Sequence, residues 1–513
     1  MRSDFSLLLL TAFLFARPAF AQEVHSHPPP ERLGTVIFPT SCAPNVAHEF
    51  ERAVALLHSF AYTAAEQAFR QVAAADPTCA MAHWGVAMSY YHQLWNPPGA
   101  EDLRNGRAEI DEAMHLNVRS ERERQFIAAA SAYYADSEHV AHQARAKAYE
   151  EAMNLAARSN PTDSEVQVFY ALSLVATASP EDRSHANQKR AASILEALYR
   201  DHPDHPGAAH YLIHAYDNAE LAPRGLAAAR AYSKIAPSAP HALHMPSHIF
   251  TRLGLWDDSI ASNVAARAAA QAQSDIGEEL HAMDYLVYAY LQRSRQADAR
   301  AVIAALATMP GLSGGDFKVG YAASAMPVRL AMEGHDWGAA AALQSLPEST
   351  PQVAAIVCWA RAVANARSGH AQMASDDIAR LQSCRQTLQT AGNAYWALQV
   401  DVLDKEARAW QSKANSNSDE GAQLLRAAAD EEDAVEKLPV TPGPIIPARE
   451  QLGELLLALN QPQQALQEFR TVLVAAPGRR GALSGAVQAA DAMGDTHTAS
   501  KMRALISNSG VNP

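Results

Sequence analysis

Four histidines stand at spacings that metal chemistry can use. His210 and His214 are four residues apart, as are His244 and His248, so on a helix each pair projects from one face. His210 and His244 are thirty-four residues apart, and so are His214 and His248. If thirty-four residues make one two-helix repeat, equal positions lie side by side in neighbouring first helices, and the four imidazoles form one patch. With Pro206 and Pro240 as position 1 of successive repeats, the histidines fall at positions 5 and 9, His241 at position 2 and Asp217 at position 12. In the next first helix, Leu280 to Leu291, setting Tyr290 at position 11 demands a six-residue insertion and places His281, Asp284 and Tyr288 at positions 2, 5 and 9.

Neutral imidazoles with one carboxylate suit a divalent transition metal, zinc, copper, iron or manganese, and this many residues on rigid helices could hold one or two ions. The expected ligands are His210, His214, His244, His248 and Asp284, the last as fifth ligand or base. Asp217, His241, His281 and Tyr288 are further residues of the same groove, Asp217 orienting an imidazole from outside. The competing reading is a polar network or a ligand-binding groove, since histidines also cap helices, stack on aromatics and bond to neighbouring helices. H-x-x-x-H lacks the internal Glu of H-E-x-x-H, so the zinc-protease signature fails. His58 and His92 repeat the thirty-four-residue spacing near the ends of two first helices, where packing explains them better than ligation. No phosphate loop and no S-x-x-K occurs; Gly311-Leu312-Ser313-Gly314-Gly315 matches a nucleophile elbow in letters only, between helices where that motif needs a strand. No catalytic residue is specified.

The elements that must carry these side chains are helices. From Val46 onward the chain is dominated by Ala, Leu, Glu, Gln and Arg at helical period, broken at Asp76-Pro77, Asn96-Pro97-Pro98, Asn160-Pro161 and His205-Pro206-Gly207. The class is all-α. Gly453, Leu456, Ala465, Phe469 and Pro477 fall at positions 8, 11, 20, 24 and 32 of a tetratricopeptide pattern, and Leu56, Ala65, Phe69 and Asp76-Pro77 repeat it. One helical hairpin cannot bury its apolar face alone, so the hairpins should stack as an α-solenoid with a concave groove lined by first helices. We expect the solenoid over 46–440 and further repeats over 441–513. Ser412 to Pro444 reads as an interrupted connection.

The blocks Leu57-His58-Ser59-Phe60, Asp76-Pro77-Thr78-Cys79-Ala80-Met81, Trp84-Gly85-Val86-Ala87-Met88, His205 to Asp217 and His241 to Phe250 resemble a group of exported bacterial tetratricopeptide-repeat proteins. The resemblance is specific over roughly residues 40 to 300 and generic elsewhere, and it implies fold rather than chemistry.

Among 513 residues, 48% are hydrophobic and 19% charged, which excludes a largely disordered chain. With 42 basic against 55 acidic residues the formal charge is −13, so the basic footprint of nucleic-acid binding is missing. Residues 1–21 read as a cleavable signal peptide, with Arg2, the apolar run Phe5 to Ala16 and Ala19-Phe20-Ala21; residues 22–45 read as an extended or disordered lead-in. The expected location is periplasmic or secreted, without a transmembrane anchor. Four cysteines in an oxidising compartment suggest two disulfides, Cys42 with Cys79 and Cys358 with Cys384 being the simplest of three pairings; four free buried thiols are the alternative. Together these observations point to an exported repeat protein that binds a protein, peptide or other ligand in its groove and carries a histidine-rich metal site. The alternative is a metal-dependent hydrolase or oxidoreductase using that centre.

Overall fold

A computed structural model describes residues 31–94 and 97–508. The signal-peptide reading lies outside these residues, as does the lead-in before residue 31. Every regular element among the described residues is helical. Helix starts follow the local sequence: Asp163, Asp275 and Asp316 each accept a hydrogen bond from the amide three residues on, and His205 does the same with Nδ1, just before Pro206 at the first helical position.

The helices run as successive antiparallel hairpins, each helix packed on the next in the chain. Ala47–His58 pairs with Tyr62–Ala75, Pro206–Tyr216 with Ala222–Ile235, Ile276–Gln292 with Gln296–Ala304, and Ala448–Ala458 with Pro462–Ala475. The fold is an all-α solenoid of tetratricopeptide-type hairpins. Its signature residues have a packing reason. Phe469 is fully buried, and a Cβ on Gly453 would stand 2.7 Å from its ring, so the small residue of one helix is the socket for the aromatic of the next. Among the described residues no helix is long and apolar enough to cross a membrane.

Three first helices carry the histidines. The middle one is interrupted: Pro246 has no amide proton, so the helix is split into Pro240–His244 and Pro246–Arg252, although Met245 keeps helical dihedrals and both pieces continue in one direction. Pro206–Tyr216 packs against Pro246–Arg252, and Pro240–His244 against Ile276–Gln292, so the three lie side by side as the period demands.

Two connections differ from the sequence reading. The described part of the lead-in is irregular but ordered: Phe38 is buried against Phe50, Trp84 and Phe126, and Cys42 is joined to Cys79. The second expected disulfide does not form; Cys358 and Cys384 are free thiols. Much of the region from 412 to 444, by contrast, is regular, because Ser418–Asp433 is a helix. Beyond it, residues 434–447 form a proline-rich strap across the repeats that carry the histidines. Tyr285 donates its hydroxyl to the carbonyls of Pro439 and Thr441, while Arg329 donates to those of Gly443 and Pro444. Lys437 reaches Asp217 at 3.0 Å.

Candidate metal centre

The repeat arithmetic brings the four histidines together and adds two. His210 and His214 are joined by His241, and His244 and His248 by His281; within each triad one nitrogen per ring lies within 4.8 Å of the others. The rule is the same twice: positions 5 and 9 of one first helix are completed by position 2 of the next. All six rings are buried. The triads touch, with ring centroids 6.1 Å apart both for His214 and His248 and for His241 and His244.

Within each helical pair the two Nε2 atoms face each other at 3.0 Å. For comparison, two imidazole nitrogens about 2.05 Å from one tetrahedral ion stand about 3.3 Å apart. The partners of the other ring nitrogens fix the tautomers. His248 Nδ1 lies 2.9 Å from Asp217 Oδ2. Burial pushes the Asp217 carboxyl up, but Lys437, Arg252 and His248 hold it well below the usual range, so it is an acceptor and His248 carries its proton on Nδ1. His244 Nδ1 lies 2.6 Å from Asn263 Oδ1, and the Asn263 amide is oriented by its own donation to the Ser259 carbonyl at 2.8 Å. His244 is therefore also protonated on Nδ1. Two lone pairs consequently meet at 3.0 Å between His244 and His248. In the first triad His210 donates from Nδ1 to the His58 carbonyl at 2.6 Å, which again turns a bare Nε2 toward His214. His241 Nδ1 lies 3.3 Å from Glu278.

Electrostatics favours the neutral form of five of these rings. Burial, followed by neighbouring imidazoles, drives His210, His214, His244 and His281 well below the ordinary histidine value. Burial takes His248 to about 4 despite the attraction of Asp217. Neutral imidazoles with one nitrogen donating to an outer partner and the other bare are the form in which histidine binds metals. Tyr232 stacks on His210, Phe60 stands edge-on to it, and Tyr285 packs on His244 and His248.

Of the sequence-derived candidates, His210, His214, His244 and His248 converge as two pairs, and His241 and His281 complete them. Asp217 lies outside both triads, against His248 Nδ1. Asp284 does not join either triad: it holds Arg329 at 2.9 Å, and burial pushes its carboxyl up against that pull. Tyr288 also points elsewhere, beneath the Arg329 guanidinium and within 3.3 Å of Arg479. The row position that carries histidine in two repeats thus carries, in the third, a carboxylate whose work is to hold the arginine that grips the strap. Asn263, Glu278, Arg252 and Lys437 were not read from the sequence; only the recurrence of His at position 2, with Glu278 three residues before His281, was there to find them by.

The His58 region provides a contrast. His58 and His205 both hydrogen-bond Glu165, at 2.9 and 3.0 Å. His205 Nδ1 accepts from the Ala208 amide, so its Nε2 carries the proton given to Glu165, and His58 Nδ1 pairs with the Tyr211 hydroxyl. Every ring nitrogen there has a complementary partner, and the group is a hydrogen-bond network that stiffens the wall behind His210.

On the other side of Asp217 lies a cavity of about 1050 Å³, lined among others by Arg252, Lys437, Tyr288, Tyr395 and Trp396. None of the six histidines lines it; Arg252 and Lys437, both bound to Asp217, stand between.

No protein-family model matches this chain, and no curated protein matches it. Among solved structures it is similar to the human IFIT1 dimer with m7Gppp-AAAA, at 12% identity over 84% of this chain and 90% of that one and a TM-score of 0.37. A monomeric IFIT1 mutant with Gppp-AAAA gives 12% identity over the same shares and a TM-score of 0.34. Likeness at this level carries nothing about ligands, and the fold rests on the helix packing described above.

Proposed function

We propose that this chain is an exported metalloprotein, a helical-repeat scaffold that holds transition-metal ions in two adjacent three-histidine sites. The observation that carries the reading is the facing pair of bare nitrogens at His244 and His248, 3.0 Å apart in rings whose other nitrogens are committed to Asn263 and Asp217. Lone pairs so placed repel unless a cation lies between them, and burial disfavours a proton in that role. Three protein ligands per ion leave one position for water or a small ligand, the arrangement used by catalytic centres. The test is elemental analysis of untagged protein against His244→Ala/His248→Ala and His210→Ala/His214→Ala. Each double variant should lose the ion of its own triad. No ion after reconstitution with zinc, copper, iron and manganese would sink the proposal.

A second reading, peptide binding in the groove, draws support from the strap. Tyr285 and Arg329 take an extended proline-rich segment by its backbone carbonyls, a mode that a peptide of similar character in another chain could share. A fluorescent peptide covering residues 436–447 should then bind protein whose own strap has been cut by an engineered protease site; failure to bind removes this reading.

A further inference from the structure

We propose that the two triads hold a pair of copper ions in the cuprous state. This deepens the metalloprotein reading and rests on it. The first argument is ligand type. All six ligands are imidazoles, and the carboxylates of the region act on the far side of the rings, Asp217 on His248 and Glu278 on His241. Manganese and magnesium favour oxygen donors, whereas copper, zinc, iron and nickel accept imidazole, and of these copper alone has a common monovalent state.

The second argument is charge, and it separates copper from zinc. A buried ion is stabilised when the protein offers it unpaired negative charge; Glu165, behind His210, is committed to His58 and His205, and the carboxylates around the second triad are each matched by a cation. Asp217 faces both Arg252 and Lys437, Glu278 faces Lys318 at 2.6 Å, Asp284 faces Arg329, Glu279 faces Arg267, and Glu436 faces Arg183 and Arg252. An imidazole ligand brings no negative charge of its own. The self-energy of an ion in a poorly polarisable site grows with the square of its charge, so two divalent ions in touching triads meet four times the penalty of two monovalent ones, as well as stronger mutual repulsion. A cuprous ion also accepts three neutral nitrogens without demanding further ligands, and three is what each triad supplies. The aromatic lining of Phe60, Tyr232 and Tyr285 adds no anion.

The experiment is an anaerobic titration of the full-length protein with Cu(I) in competition with bathocuproine disulfonate, run beside a zinc titration against a chromophoric chelator. Wild type should withdraw two equivalents of Cu(I), and His241→Gln and His281→Gln should each withdraw one. Zinc should bind at least about tenfold more weakly. Circular dichroism and metal-free melting curves show whether each variant folds; a variant that does not is replaced by His214→Gln or His248→Gln in the same triad. Two zinc ions with no Cu(I) would overturn the copper assignment and leave the metalloprotein reading standing. One equivalent in wild type, lost equally in variants of either triad, would overturn the pair. No ion of any kind would overturn both.

Discussion

Lys437 Nζ meets Asp217 Oδ2 at 3.0 Å across 220 residues of sequence, and the same carboxylate oxygen accepts from His248 Nδ1 at 2.9 Å. One carboxylate therefore ties the strap to the second triad and sets the tautomer of its His248. Asp217→Asn keeps the shape and removes the charge. We expect it to lower metal affinity of the second triad about 10- to 100-fold, the usual effect of losing an outer partner, and to leave the first triad unchanged. Competition titration of wild type and variant, each also carrying His241→Gln to silence the first triad, checks this; equal affinities would refute it.

His205→Ala should behave in the opposite way. It removes a helix cap and leaves Glu165 with only His58, at a stability cost of about 2–3 kcal/mol. Metal content should stay at the wild-type level. Loss of an ion in this variant would mean that the Glu165 network is itself a ligand set.

Phe469→Ala tests the repeat packing at a distance from the centre. Its ring is fully buried in the sockets made by Gly453 and Gly485, and its removal should cost about 3–5 kcal/mol in denaturant unfolding. A loss below about 1 kcal/mol would show that the C-terminal hairpins repack freely.

The pH dependence of stability should carry a signature of Glu432. Burial, with Asp433 beside it, raises this carboxyl to about 7, and Glu406 nearby is raised as well, by burial and then by Glu432. The folded chain then binds more protons than the unfolded one, so the contribution is fully present below about pH 4.5 and is lost as pH rises through about 7. Glu432→Gln should therefore raise the melting temperature at pH 8 relative to wild type, by about 1 kcal/mol in stability after allowance for partial exposure, and change little at pH 5. Melting curves in chelator at both values decide it, and an equal change at both would be the wrong outcome.

Cysteine chemistry separates the two pairings. Denatured, unreduced protein treated with iodoacetamide should gain two carbamidomethyl groups, on Cys358 and Cys384, and none on Cys42 or Cys79. In the native state Cys358 should react slowly, because burial pushes its thiol up to about 11. Four labels or none would contradict the pairing.

The histidine patch was legible because repetition converts spacing into geometry: thirty-four residues in sequence is one step sideways between first helices. The third histidine of each triad was harder to see, because His241 and His281 belong to the repeat after the one they complete. Asp284 misled for the same reason in reverse. Its row position matches His210 and His244, but the row says only where a side chain starts, and Arg329, forty-five residues on, decides where it ends. The strap was invisible as a ligand of its own chain. Ser412 to Pro444, with Pro439, Pro442 and Pro444, read as a broken connection, and nothing local to it names Tyr285 or Arg329 as the groups that take its carbonyls.

The long connections also change how the array should come apart. In a solenoid whose repeats touch only their neighbours, ends fray and unfolding travels inward one hairpin at a time. Here Trp256 donates to the Gly478 carbonyl, the Arg480 amide donates to Gln292, and a Cβ on Gly254 would collide with the Pro477 carbonyl at 2.2 Å. The C-terminal hairpins are latched onto the middle of the chain, and fraying them would break the buried pair of Arg479 with Glu333. The molecule should therefore melt as one cooperative body, with the slow, non-local search that such closure imposes on folding.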